Sequence, residues 1–127
     1  MPLEHVKRYG IVAGDAIEDR LVKVNRMVEK PKPEDAPSRL GVAGRYILTP
    51  GVFAEICEQP KGAGGEIQLT DGIAALMKKE SVYAYSYKGV RYDCGSKEGF
   101  LQASVELALA HPEVGGQFRD YLKSLKL

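Results

Sequence analysis

The sequence predicts an α/β fold in which a mixed sheet is flanked by helices. Segments with the alternating apolar pattern of half-buried strands are interleaved with segments whose apolar residues have helical spacing. Two neighbouring strand segments near the start have the pattern of a hairpin, which argues against a purely parallel sheet. With 127 residues, 44% of them hydrophobic, the chain is long enough for one core and too short for two ordinary domains. We therefore expect residues 1–127 to form a single unit.

Strands are predicted where apolar side chains recur at every second position. Val22 and Val24 alternate with Lys23, which is the period of a strand with one buried face. The charged stretch at residues 14–20 is predicted to be the turn before this strand. The predicted strands cover residues 9–13, 21–29, 40–48 and 82–87, with residues 90–92 also extended.

Prolines and glycines separate the strands from the helices. Three prolines between residues 30 and 39 predict an irregular loop, and the glycine-rich residues 59–65 predict a second one. Thr49 and Pro50 predict a helix start, with the threonine hydroxyl as N-cap and proline in the first helical position. Further helices are predicted within residues 65–79, at residues 96–110, where Phe100 and Leu101 belong to the apolar face, and at residues 117–125.

Charge and cysteine content exclude several classes of partner. Eighteen basic and seventeen acidic residues leave a formal net charge of +1, which disfavours binding to nucleic acid or to an anionic membrane. Cys57 and Cys94 have no spacing that builds a zinc site or a disulfide framework. No apolar run reaches the length of a signal peptide core or a membrane span. We expect a cytoplasmic protein with a small-molecule or protein partner.

Few residues are candidates for chemistry on their own pattern. Asp93 follows a predicted strand, and Glu29 and Lys30 precede the proline-rich loop. One aspartate alone more often caps a turn than binds a metal, and charges beside such a loop are usually solvated surface. The glycines of residues 62–65 lack the lysine and hydroxyl residue of a phosphate-binding loop, which favours a hinge.

Four segments taken together point to a family. In chain order they are VKRYGIV, VEKPKPEDAPSRLGVAGRYILTP, GAGGEIQLTDGI and YDCGSKEGFLQASVELAL. Over nearly its whole length the chain resembles the C-terminal half of the bacterial UTP-glucose-1-phosphate uridylyltransferases, which are sugar-phosphate nucleotidyltransferases. This resemblance implies the C-terminal part of a nucleotide-diphospho-sugar transferase fold, which is Rossmann-like.

The resemblance also implies a reaction and residues for it. In this family a phosphate oxygen of glucose-1-phosphate attacks the α-phosphorus of UTP, giving UDP-glucose and pyrophosphate. By resemblance, Lys30 is the catalytic lysine that contacts the sugar-linked phosphate, and Glu29 accepts hydrogen bonds from glucose hydroxyls. Gly10 would let the backbone approach the sugar, because a Cβ there would occupy ligand space. Asp93 would be one of two carboxylates that bind Mg²⁺.

The nucleotide side of such a site has no counterpart here. The Gly-x-Gly-Thr-Arg signature of the family's nucleotide loop does not occur between Met1 and Leu127. We therefore expect the partner of this chain to be the missing N-terminal half, the isolated chain to be inactive, and its exposed surface to favour a homo-oligomer. Glucose-1-phosphate and UDP-glucose are the expected ligands. The alternative is a non-catalytic sugar-nucleotide-binding or oligomerisation module derived from the enzyme.

Overall fold

The structure is a computed structural model that describes residues 1–126, and it confirms the α/β class. Contacts divide the chain into two compact units, Met1–Lys88 and Gly89–Leu127; that they act as one unit remains a prediction. The first unit holds strands β1 (Gly10–Glu18), β2 (Leu21–Glu29), β3 (Leu40–Gly41) and β4 (Tyr83–Tyr85), and helices α1 (Gly51–Glu58) and α2 (Leu69–Leu76). It also has 3₁₀ turns at Leu3–Arg8, Pro33–Asp35 and Ala63–Gly65. The second unit holds helices α3 (Lys97–Ala110) and α4 (Gly115–Ser124).

The hairpin of β1 and β2 is the centre of the sheet in the first unit. The strand order is β3-β1-β2-β4, and the three neighbouring pairs are antiparallel. Strand β2 has the predicted bounds, with Val24 buried and with Lys23 and Asn25 exposed. The alternating pattern therefore identified both the strand and the face that it buries.

The predicted turn at residues 14–20 is wrong, because β1 continues through most of it. Only Asp19 and Arg20 form the turn, where Arg20 has a φ of 67°. Gly14 instead marks a bulge, since the register of the ladder shifts there and a Cβ on Gly14 would overlap the carbonyl oxygen of Lys23. A glycine that a bulge requires was thus mistaken for a turn residue.

The predicted strands at residues 40–48 and 82–87 are also wrong in length. Strand β3 has two residues, and the chain bends at Gly44, whose φ of 72° does not suit an extended strand. Strand β4 has three residues because its partner β2 begins at Leu21, opposite Tyr85, so no strand is left to pair with further residues. Both edges of this sheet are therefore short.

Helix α2 packs on β2, helix α1 packs against α2, and together they form the core of the first unit. The buried cluster and its partly buried neighbours are Val52, Ile73, Leu76, Met27, Leu48, Ile56 and Val82. Glu55 of α1 is also buried, and its Oε1 lies 2.6 Å from Nζ of Lys79. The hydrogen bond that the Lys79 ammonium donates to Glu55 raises the pKa of Lys79. This packing fixes the position of α2 and of the residues in its first turn.

Thr49 does not cap α1, contrary to the prediction, and the helix begins at Gly51, one residue later than predicted. Pro50 takes the N-cap position, and no side chain caps the helix. The Thr49 hydroxyl donates instead to Oε2 of Glu80 at 2.8 Å. A carboxylate is a stronger acceptor than a neutral group, so the hydroxyl is oriented toward Glu80.

The second unit is a pair of helices whose bounds largely follow the predictions. Ser96 caps α3, since its Oγ accepts from the backbone N–H of Gly99 at 3.0 Å. The buried residues of α3 are Gly99 and Ala103, whereas Phe100 and Leu101 are exposed. The predicted apolar face was therefore wrong at those two positions, because small residues make the close contacts. No helix in residues 1–126 has the length and apolar character needed to cross a membrane.

Ile73 is the residue through which the core is best tested. We expect Ile73→Ala to lower the free energy of unfolding by about 2–5 kcal/mol, because the side chain is 1% exposed and its removal leaves a cavity. Ile47→Ala is a matched control, since Ile47 is fully exposed and the change there should stay within about 0.5 kcal/mol. Urea denaturation followed by circular dichroism measures both. Equal losses for the two variants would contradict the assignment of the core.

Candidate functional site

The candidate site lies at the end of the β1–β2 ladder, where Gly10 and Glu29 face each other. Gly10 is buried, and its carbonyl oxygen accepts from the backbone N–H of Val42 at 2.9 Å. A Cβ on Gly10 would lie 3.1 Å from Oε2 of Glu29. The glycine therefore makes room for this carboxylate. That it also admits a ligand remains a prediction.

The side chains of Thr70 and Lys30 contact the Glu29 carboxylate. The hydroxyl of Thr70 donates to Oε2 at 2.5 Å, and Nζ of Lys30 lies 3.7 Å from Oε1. The Glu29 side chain is 14% exposed and Thr70 is 4% exposed, so the charge sits at the edge of the interior. A carboxylate has about four acceptor positions, so some remain for hydroxyl groups of a ligand.

Lys30 has an unusual backbone conformation. Its φ is 45°, in the left-handed region that favours glycine, and its backbone N–H donates to the carbonyl oxygen of Tyr9 at 3.0 Å. Successive residues of a regular strand point to opposite faces. The left-handed conformation breaks this alternation, and the ammonium comes to the same side as the Glu29 carboxylate. The Lys30 side chain is 52% exposed, so its charge is available to a ligand.

Tyr46 lies within electrostatic reach of the same carboxylate. Partial burial, and then the negative charge of Glu29, raise the pKa of the Tyr46 phenol. The phenol therefore keeps its proton, and it can donate a hydrogen bond at neutral pH.

Asp93 lies in the second unit, at the turn that precedes α3. Its Oδ1 accepts from the backbone N–H of Gly95 at 3.3 Å, and its carbonyl oxygen accepts from both N and Oγ of Ser96, each at 3.1 Å. Asp93 thus shapes a turn, which is a common role of aspartate, although residues 90–92 before it do not form the predicted extended segment of a strand. Within residues 1–126, no group of three or more histidine, cysteine or acidic side chains is arranged to hold a metal. A metal role for Asp93 remains a prediction.

The arrangement in the first unit can bind a ligand that is both anionic and rich in hydroxyl groups. Lys30 offers three ammonium donors to an anion, and Glu29 offers oriented acceptors beside it. Sugar phosphates combine these two chemical features. Such binding needs no proton transfer by either side chain.

A comparison with protein families shows the family to which this chain belongs. The profile described as nucleotidyl transferase matches residues 1–109. The chain belongs to the nucleotidyl transferase family. Gly10, Glu29, Lys30 and Asp93 all lie within the matched range.

Comparison of the sequence with individual nucleotidyl transferases identifies more closely related proteins. The chain is 48% identical to a UTP-glucose-1-phosphate uridylyltransferase of Streptococcus pneumoniae, over 98% of this chain and 43% of that protein. It is 50% identical to the enzyme of the same name from Pseudomonas aeruginosa, over 82% of this chain and 37% of that protein. The chain thus spans about two fifths of the length of these relatives.

Solved structures confirm the nucleotidyl transferase fold. A UDP-glucose pyrophosphorylase complexed with UDP-glucose superposes with a TM-score of 0.83 at 44% identity, covering 87% of this chain and 42% of that one. The UTP-bound enzyme from Acinetobacter baumannii gives a TM-score of 0.82 at 39% identity, covering 99% of this chain and 43% of that one. The fold predicted by resemblance is therefore correct.

Sequence reasoning missed Thr70 and Tyr46 as members of the site. Both lie in segments that carry the family resemblance, GEIQLTDGI and GRYIL, so the segments were found without the roles of these residues. Thr70 is 41 residues from Glu29 along the chain, and no local pattern predicts that they meet. The local feature that could have drawn attention to Thr70 was its position near the start of a predicted helix.

The electrostatic link between Tyr46 and Glu29 can be measured by titration. We expect the pKa of Tyr46 to lie above the ordinary value of about 10, and Glu29→Gln to lower it without removing the part due to burial. Tyrosine labelled with ¹³C at Cζ, followed by NMR from pH 8 to 12, gives this pKa. Glu18→Gln is the control, because Glu18 ends β1 about 26 Å along the strand from Gly10. An unchanged pKa in Glu29→Gln would contradict the proposed proximity.

The backbone of Lys30 provides a test of strain. We expect Lys30→Gly to be more stable than Lys30→Ala by about 1 kcal/mol, because only glycine adopts a φ of 45° without a steric cost. At Lys32, whose φ is −65°, the order should reverse, since glycine there only adds freedom to the unfolded chain. Chemical denaturation of the four variants measures both differences. The same order at both positions would rule out strain at Lys30.

Proposed function

We propose that this chain is the C-terminal, sugar-phosphate-binding part of a UTP-glucose-1-phosphate uridylyltransferase. The observation that carries the proposal is the pairing of an exposed ammonium, Lys30, with an anchored carboxylate, Glu29, at the end of a strand ladder. Relatives of that name at 48% and 50% identity support it. The two side chains match the phosphate and the hydroxyl groups of glucose-1-phosphate.

In the proposed reaction, a phosphate oxygen of glucose-1-phosphate forms a bond to the α-phosphorus of UTP. The bond from that phosphorus to the bridging oxygen of the β-phosphate breaks, and pyrophosphate leaves with the electron pair. Lys30 holds the attacking phosphate and offsets its charge, while Glu29 fixes the sugar ring through its hydroxyl groups. Positioning and charge neutralisation provide most of the catalysis in such transfers.

The proposal includes a Mg²⁺ ion for which Asp93 would be a ligand. A carboxylate oxygen is a ligand that Mg²⁺ accepts, and the ion commonly binds one or two carboxylates together with phosphate oxygens and water. The turn that Asp93 forms with Gly95 and Ser96 fixes the backbone from which this side chain extends. A fixed backbone is consistent with a metal ligand that occupies a defined position. When bound, Mg²⁺ would neutralise charge on the phosphates.

The nucleotide side of the reaction is assigned to an N-terminal half outside this chain. The chain spans 37–43% of the relatives' length, and the glycine-rich signature for the nucleotide does not occur in it. On this proposal the isolated chain binds the sugar phosphate and makes no UDP-glucose. The alternative is a non-catalytic sugar-nucleotide-binding or oligomerisation module. In an oligomerisation module, Glu29 and Lys30 would be only a surface pair without ligand binding.

A binding measurement separates the proposal from the oligomerisation module. We expect glucose-1-phosphate to shift the NMR signals of Gly10, Glu29 and Lys30, and Lys30→Met to weaken binding about tenfold, since a charged hydrogen bond is lost. Lys23→Met is the matched control, because Lys23 is exposed on the same strand far from Glu29 and should not alter affinity. Shifts that are absent, or that Lys30→Met does not reduce, would favour the module.

Complementation then tests the assignment of the two halves. We would mix this chain with the separately made N-terminal part of the Streptococcus pneumoniae relative and supply UTP, glucose-1-phosphate and Mg²⁺. We expect UDP-glucose only from the mixture, and none when Lys30→Met replaces the native chain. Turnover by this chain alone would contradict the proposal.

Self-association and a cytoplasmic location also remain predictions. Several large apolar side chains in the first unit are exposed, namely Ile47, Phe53, Tyr83 and Tyr85. On the proposal, the N-terminal half covers part of this surface in the intact enzyme, and a second copy of the chain covers it otherwise. Light scattering over a range of concentrations checks this, and a monomer at every concentration would argue against it.

A further inference from the structure

The hydroxyl of Thr70 has a place in the site that the binding roles of Glu29 and Lys30 do not explain. Thr70 lies in the first turn of α2, is 4% exposed, and donates to Oε2 of Glu29 at 2.5 Å. We propose that Thr70 is a positioning residue that fixes the Glu29 carboxylate for the sugar. The inference rests on the proposed function, in which Glu29 accepts hydrogen bonds from sugar hydroxyls.

Three separate segments meet at this hydrogen bond. Glu29 ends β2, Gly10 begins β1, and Thr70 comes from α2. A Cβ on Gly10 would lie 3.1 Å from Oε2 of Glu29 and 3.3 Å from Oγ1 of Thr70, so the bonded pair fills the space that glycine leaves. Oε2 is therefore enclosed by protein, while Oε1 lies on the side of the Lys30 ammonium, 3.7 Å from Nζ. The anchor therefore holds one carboxylate oxygen and leaves the other beside the ammonium.

Fixing the carboxylate before the ligand binds has a physical benefit. A glutamate side chain loses rotamer freedom when it is held in one conformation, and this loss weakens binding if it occurs only on association. The bond from Thr70 orders the side chain in the free protein. Because the hydroxyl is buried, it also needs an acceptor, and the carboxylate satisfies that need.

The test compares three variants of the full chain with glucose-1-phosphate as the probe. Thr70→Val keeps the shape and removes the hydroxyl, and we expect it to weaken binding about tenfold. Thr70→Ser restores the hydroxyl and should bind within about threefold of the native chain. Thr49→Val is the matched control, because the Thr49 hydroxyl also donates to a glutamate, Glu80, at 2.8 Å, but outside the site. It should leave the affinity unchanged.

A second readout reports on the carboxylate without any ligand. Three-bond NMR couplings of the Glu29 side chain should indicate one rotamer in the native chain and in Thr70→Ser, and averaging in Thr70→Val.

A double-mutant cycle on affinity tests the same bond. In a Glu29→Ala background, where the acceptor is absent, Thr70→Val should cost much less affinity than in the native chain, because the two residues act through one bond. A purely structural role for Thr70 would give the same loss in both backgrounds.

The outcomes distinguish the two proposals. If the native chain binds glucose-1-phosphate and Thr70→Val binds equally well, the positioning role is overturned and the proposed function stands. If the native chain does not bind, the proposed function fails, and so does the role toward a sugar. In either case, a single Glu29 rotamer in Thr70→Val would show that the hydroxyl does not fix the carboxylate.

Discussion

A carboxylate that is largely withdrawn from water needs partners, and this constraint organises the first unit around Glu29. The β1–β2 register places Gly10 opposite Glu29, so that no side chain competes for the space. The core under α2 fixes the helix that carries Thr70, whose hydroxyl reaches the carboxylate. The backbone of Lys30 brings an ammonium to the same side. Sheet register therefore provides the space for a single charged group, while core packing and backbone conformation each provide one contact to it.

The parts of the fold that the sequence predicted are those with local causes. Alternating valines set the bounds of β2, and Ser96 set the start of α3 through a bond to a residue three positions along the chain. The errors have causes beyond local sequence. Gly14 resembled a turn residue because only the paired strand shows that it sits in a bulge, and the length of β4 depends on where its partner strand begins.

The residues of the site also divide into those with a local sequence signal and those that depend on tertiary contacts. Glu29 and Lys30 were identified by resemblance, because they are adjacent in one recognisable segment. Thr70 was not, since its contact with Glu29 depends on how α2 packs on the sheet. In the structure, Gly10 leaves space for the side chains of Glu29 and Thr70. The sequence had suggested only that Gly10 leaves space for a ligand. The two roles are compatible, since a well-placed carboxylate is itself what the ligand would contact.

The conformation of Lys30 helps to separate functional strain from ordinary turn geometry. Two residues other than glycine in the described chain have a positive φ, Arg20 and Lys30. At Arg20 the tight turn between antiparallel strands accounts for it, because hairpin turns commonly require such angles. Lys30 lies where β2 gives way to an irregular segment, and there glycine would adopt the same angle at less cost. A lysine in that position is understandable if its ammonium is needed beside Glu29, so the pairing of strain with a charged neighbour, rather than strain alone, supports a functional role.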